Sequence, residues 1–160
     1  MKALLSIIAS LVIVSSAHAL PTFQEVKDSY KKSDAILMDR HGKAIHELRV
    51  DSKGRRLDWI NIKDISPALI KAVIRSEDKR FYEHHGVDWM AVGSAVIKNV
   101  FVGTPRGAST ITMQLVSILD KKLKPKTSKR TLDQKWNQIN AATEMERAWT
   151  KDEIFEAYLN

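Results

Sequence analysis

The sequence predicts a mainly α-helical domain entered through a small β-hairpin, and three patterns carry that expectation. Residues 35–38 and 44–50 are two apolar-rich arms around Asp39-Arg40-His41-Gly42; the second arm alternates apolar and polar residues, and Gly42 supplies the turn. Ser66-Pro67 is an N-cap signal with proline at the first helical position, followed by Leu69, Ile70, Val73 and Ile74 at helical spacing. Thr150-Lys151-Asp152-Glu153 is a capping box that opens a further apolar helical run. The 160 residues fit one domain. With 44% hydrophobic and 28% charged residues, a disordered, collagen-like or polytopic membrane chain is excluded. The absence of cysteine excludes a disulfide framework and a thiolate zinc site.

Taken in order, the chain opens on MKALLSIIASLVIVSSAHAL: Lys2, an apolar run over 3–14, and Ala17-His18-Ala19. This reads as a secretory signal peptide, residues 1–19, cut after Ala19, with an uncleaved N-terminal anchor as the alternative. Both place the body outside the cytoplasm. Residues 20–33 read as a linker holding one short amphipathic helix. The hairpin follows, and residues 57–62 suggest a short third strand. Beyond the helix at 67, helices are expected over about 88–102, from near Ser109, over 131–149 and from 151 onward. A basic, proline-containing connector fills 121–129. The last helical stripe (Ile154, Phe155, Tyr158, Leu159) needs an apolar partner, and none follows it in the chain.

The formal net charge of +7 favours an anionic partner. Export argues against nucleic acid and for the membrane face or a cell-wall precursor. Three polar constellations could carry chemistry. In EDKRFYEHHG, Glu77 and Asp78 are adjacent carboxylates at a helix end; partial burial and a like-charged neighbour would tune Glu77 for proton transfer. Composition alone equally allows a solvated helix terminus. His84 and His85 point to different sides and make poor joint metal ligands. The segment GTPRGASTITMQ offers free amides at a hydroxyl-rich helix start, suited to a phosphate or a sugar hydroxyl, or simply an N-cap. The run Lys121, Lys122, Lys124, Lys126, Lys129, Arg130 and Lys135 is either a solvated face or a clamp for pyrophosphate or anionic lipid.

These segments carry a resemblance. EDKRFYEHHG resembles the first signature of family 51 glycosyltransferases, E-D-x-x-F-x-x-H-x-G, and GASTITMQL is similar to the second, G-x-S-T-I-T-x-Q-L. The segment KWNQINAATEME followed by TKDEIFEAYLN resembles the third signature and the stretch after it. The hairpin AILMDRHGKAIHELRV and Met113 resemble the 1C-type members among penicillin-binding proteins. The resemblance covers residues 34–160. It implies a lysozyme-like helical glycosyltransferase domain that polymerises a lipid-linked disaccharide-pentapeptide (lipid II) into glycan strands on undecaprenyl pyrophosphate, inverting the anomeric carbon. It implies Glu77 as general base, with Asp78 as its polar neighbour and Phe81 and His84 shaping the pocket. Ser109, Thr110 and Gln114 match donor-site positions, and Arg130 a position facing the donor pyrophosphate; Lys135 and Gln138 complete the substrate-binding set. No protein-bound metal is implied, although a divalent cation such as Mg is allowed. The implied setting is periplasmic, at the outer face of the cytoplasmic membrane, beside a transpeptidase partner and without nucleic acid.

The chain departs from the family pattern in four respects. The glutamate of R-K-x-x-E is Gln138, its arginine is Gln134, and the lysine expected after Gln114-Leu115-Val116 is Ser117, with Lys121 or Lys122 as substitutes. The family's domain also continues beyond Tyr158-Leu159-Asn160, so the expected domain is incomplete at its C-terminus. Removing one charge-assisted hydrogen bond would take away on the order of 2–3 kcal/mol of transition-state stabilisation. Three functions therefore follow from the sequence: an active glycosyltransferase, an inactive remnant or precursor-binding module of the same family, and a lytic glycan-cleaving enzyme.

Overall fold

A computed structural model describes residues 20–51, 54, 56–101, 107–120, 123 and 131–160, with the backbone alone over 96–101. The signal segment and the connector, apart from Leu123, lie outside the described residues. Among those described, the order is α1 (Phe23–Ser29), β1 (Asp34–Met38), β2 (Ala44–Arg49), α2 (Pro67–Glu77), α3 (Trp89–Phe101), α4 (Ile111–Leu119), α5 (Leu132–Ala148) and α6 (Lys151–Leu159), with short 3-10 turns at Ile62–Asp64 and Phe81–Glu83. The mainly helical class with one two-stranded hairpin is as the sequence predicts.

Local signals account for most boundaries. Thr22, Thr131 and Thr150 each form a full capping box, with Glu25, Gln134 and Glu153 as the reciprocal partners. Thr110, one residue after the expected start, caps α4 by accepting the Met113 amide. Ser66 occupies the cap position of α2, but its side chain makes no cap bond. In the hairpin, Ala35 pairs with Leu48 and Leu37 with His46, and the register shifts after Leu37. Gly42 takes φ +79, and Asp39 Oδ1 accepts the His41 and Lys43 amides to close the turn.

The third strand does not form. The Ile60 amide and carbonyl are both held by the Asn160 side chain (2.8 and 2.9 Å), and Glu156 Oε2 takes the Ile62 amide (2.7 Å). With those groups satisfied by α6, the segment has no need of a ladder. Glu156 Oε1 also accepts the Trp59 indole (2.7 Å) and Lys27 of α1 (3.1 Å), so one buried carboxylate ties both α1 and the 59–62 segment to α6.

The core lies where α4, α5 and α6 meet the loop after α2. Phe81, Ile111, Met113, Val116, Met145, Ile154 and Phe155 are fully buried there, each contributing roughly 1.5–3 kcal/mol. The terminal stripe is thus covered after all: Ile154 and Phe155 are buried by elements that precede α6, and Tyr158 and Leu159 pack partly against the same cluster. Residues 20–33 do not run free of this body, since Leu20, Phe23 and Val26 also pack on it.

Candidate active site

The site forms where α2 ends. Asp78 leaves the helix with φ −154 and ψ 81, so the two adjacent carboxylates diverge. Asp78 turns inward and is only 6% exposed, accepting the Ile111 amide (3.1 Å) and His84 Nε2 (3.0 and 3.1 Å). As the carboxylate accepts, His84 presents an N–H at Nε2, and Nδ1 is buried without a partner among the described residues. Glu77 turns outward. The partial burial expected for it is absent, for its residue is exposed, but its carboxylate is not left loose. Gln114 Nε2 donates to Glu77 Oε2 (3.1 Å), and Gln114 Oε1 accepts the Tyr158 hydroxyl (3.1 Å).

Thr110 and Gly86 hold the first signature against the second. Thr110 Oγ1 donates to the Gly86 carbonyl (2.6 Å) while accepting the Met113 amide (3.1 Å). Gly86 adopts φ +88, and a Cβ there would stand 2.7 Å from the Ala142 carbonyl oxygen of α5. Only glycine meets both demands. The helix start is consequently less open than the sequence suggests: Asp78 takes the Ile111 amide and Thr110 the Met113 amide, so neither is left for a phosphate.

A cleft of about 240 Å³ opens beside Glu77, walled by Lys79, Arg80, Asp88, Ser94, Ser109 and Thr110 among others. The Arg80 guanidinium forks onto Asp88, which also accepts the Ala91 amide (2.8 Å) and so caps α3. Burial alone would raise the Asp88 carboxyl, but the Ala91 amide and Arg80 outweigh it and hold the group below the ordinary carboxylate range. On the far side of α4, Lys135 Nζ donates to Ser109 Oγ (2.9 Å) and to Gln138 Oε1 (3.2 Å). Gln138 is fully buried and donates to the Met113 carbonyl and to Ser117 Oγ (2.8 Å).

The structure therefore gathers Glu77, Asp78, Ser109 and Thr110 around one cleft, ties Gln114 to it through Glu77, and ties Lys135 and Gln138 to it through Ser109. Phe81 is instead a core residue with Lys151 Nζ 4.4 Å from its ring centroid, and His84 supports Asp78 from beneath and borders a neighbouring hollow. Arg130 lies outside the described residues. Sequence reasoning missed Arg80 and Asp88 as wall residues and Tyr158 as the neighbour of Gln114; in the sequence Asp88 stands only at the expected start of a helix and Tyr158 only in an apolar stripe. Among the described residues no three His, Asp or Glu side chains converge to hold a metal ion.

Residues 41–160 match the family model described as Transglycosylase. The chain belongs to this transglycosylase family, the peptidoglycan glycosyltransferases. It is 36% identical over 152 residues to penicillin-binding protein 1A/1B of Bacillus subtilis strain 168, covering 93% of this chain and 15% of that protein. Against penicillin-binding protein 1F of the same organism it is 30% identical, covering 100% of this chain and 21% of the relative. Penicillin-binding protein 1A of Escherichia coli K12 is 43% identical over 102 residues, covering 63% of this chain and 11% of the relative. The chain thus spans about a fifth or less of the length of these curated relatives. Within this transglycosylase, two departures from the family signature touch each other: Ser117 and Gln138 form one buried, neutral, hydrogen-bonded pair. Among the described residues no helix is long and apolar enough to cross a membrane.

Proposed function

We propose that this transglycosylase joins lipid II units into a glycan strand carried on undecaprenyl pyrophosphate, at the outer face of the cytoplasmic membrane, with Glu77 as general base. The observation that supports this best is the setting of Glu77: an outward carboxylate at a cleft, held through Oε2 by Gln114, with Oε1 unbonded among the described residues and open to a substrate hydroxyl. The carboxylate takes the proton of the acceptor sugar's hydroxyl as that oxygen attacks the donor's anomeric carbon. The bond to the pyrophosphate breaks and its oxygen leaves with the electron pair, so a single displacement inverts the carbon. Cations must meet the charge that develops on the leaving group. We assign this role to Lys135, whose contacts with Ser109 and Gln138 support it, and to Arg130 from the signature. A transpeptidase partner would cross-link the product.

Glu77→Gln is expected to abolish polymerisation of lipid II while leaving the melting temperature within about 1–2 °C of the wild type, since an exposed side chain carries little stability. Polymer formed at the wild-type rate would remove Glu77 from the mechanism. A second reading is favoured by the neutral Ser117–Gln138 pair: a module that binds precursor without turnover. Thermal unfolding with moenomycin, a donor-site inhibitor of the family, separates the two when read beside the assay. An upward shift with polymerisation supports the enzyme, and an upward shift without it supports the binding module.

A further inference from the structure

We infer that Tyr158 is a positioning residue for Glu77, acting through the Gln114 amide; this rests on the reading of Glu77 as the base. Glu77 is the last residue of α2, exposed, and its side chain has three rotatable bonds that water would otherwise leave free. Tyr158 stands on α6, half-buried, its ring packed against the core cluster. Gln114 lies on α4 between them. The three form a directional chain: phenol to amide oxygen (3.1 Å), amide nitrogen to carboxylate (3.1 Å).

Chemistry allows only one sense for this chain. An ionised carboxylate accepts and cannot donate, so Gln114 must present its NH₂ to Glu77. Its oxygen then faces Tyr158, which must donate. The carboxylate itself excludes the reversed amide, in which the Gln114 oxygen would oppose it, and the phenol, by donating to that oxygen, holds the amide from the other side. Burial, and after it the Glu77 charge, raise the Tyr158 hydroxyl above its ordinary range, so it remains a donor at neutral pH. No proton passes along the chain, because an amide nitrogen does not relay one; the proton taken from substrate stays on Glu77. The charged groups that share the cleft with Glu77 are Asp78, Lys79, Arg80 and Asp88, and among the described residues none of them bonds its carboxylate. Gln114 is therefore the contact that orients it, and Tyr158 anchors Gln114 at the distance and angle from which it reaches the carboxylate.

The test uses the full chain as wild type, Tyr158→Phe and Glu77→Gln. Phenylalanine keeps the ring and its packing and removes only the hydroxyl. The side-chain amide resonances of Gln114, assigned by ¹⁵N labelling, are expected to move in both variants, because each removes one of the two groups that orient the amide. With lipid II, Tyr158→Phe should lower kcat by about tenfold to a hundredfold at unchanged KM, the signature of a misplaced base. Unchanged Gln114 resonances in Tyr158→Phe would overturn the inference whether or not the chain polymerises. So would an unchanged kcat, or a raised KM with kcat intact. The underlying reading fails differently: polymerisation by Glu77→Gln would dismiss the base, while the Gln114 resonances would still report Tyr158.

Discussion

The two ends of α4 bury polar groups in opposite ways. At its N-terminal end the buried group is a carboxylate, Asp78, held by the Ile111 amide and His84, with Thr110 fastening the Gly86 loop alongside. Towards its C-terminal end the buried groups are neutral: Ser117 and the Gln138 amide bond each other and the Met113 carbonyl. The ionic end adjoins Glu77 and the cleft. The neutral end stands where the family signature has a lysine and a glutamate. A carboxylate buried beside directed donors fixes a loop at a defined distance from Glu77, whereas the amide–hydroxyl pair is itself neutral and takes its remaining donor from Lys135. The difference teaches that one helix can support a cleft-facing carboxylate through buried ionic contacts at one end while neutral polar packing fills its other end.

The sharpest way to break this contrast is at Asp78. Asp78→Ala strands the Ile111 amide and His84 Nε2 in the interior, and we expect a loss of about 3–5 kcal/mol in urea unfolding. A cost under about 1 kcal/mol would mean that the ionic end is not held as described. The neutral end calls for a double-mutant cycle. Ser117→Lys buries an ammonium group among neutral partners and is expected to cost about 3 kcal/mol. Gln138→Glu costs less, about 2 kcal/mol, because Lys135 Nζ already stands at 3.2 Å, but it sets a carboxylate oxygen against the Met113 carbonyl. Combined, the two should recover about 1–3 kcal/mol of coupling energy. Strict additivity would show that the pair no longer has room for charge.

How far the sequence could carry this picture depended on distance along the chain. Caps and periodicity are local, so the hairpin, the helices and the carboxylate pair at 77 and 78 could be read directly. The absent strand at 57–62 could not, because Asn160, which lies 100 residues away, supplies the bonds to Ile60. Nor could the divergence of Glu77 and Asp78, which depends on a single backbone angle after α2. Gln114 reaches Glu77 over 37 positions and Tyr158 reaches Gln114 over 44, so the motif named Gln114 without naming what it touches. Tyr158 was legible only as one member of an apolar stripe. Ser117 and Gln138 were visible as two separate departures, and only their contact makes them one change.

The smallest expected effect concerns pH, and it asks whether ionic burial makes stability depend on protonation where neutral burial does not. Glu156 on α6 isolates the question away from the cleft. Burial alone would raise its carboxyl, but Trp59, the Ile62 amide and Lys27 outweigh that and hold it below its usual value of 4.5. A carboxylate with a depressed folded-state value stabilises fully above the unfolded value and loses that contribution as pH falls through the folded one. The wild-type melting temperature should therefore decline as pH drops below about 4.5. In Glu156→Gln the amide is neutral at every pH and must turn one N–H against the donors of Trp59, Ile62 or Lys27. This variant should melt lower than the wild type near neutrality, and the gap between the two should narrow as the medium becomes acidic. Gln138→Leu, which removes a neutral partner instead, should show a gap that stays level over the same range. If the Glu156→Gln gap also stays level, the ionised form of Glu156 is not what binds α1 and the 59–62 segment to α6, and the contrast between ionic and neutral burial loses its thermodynamic content.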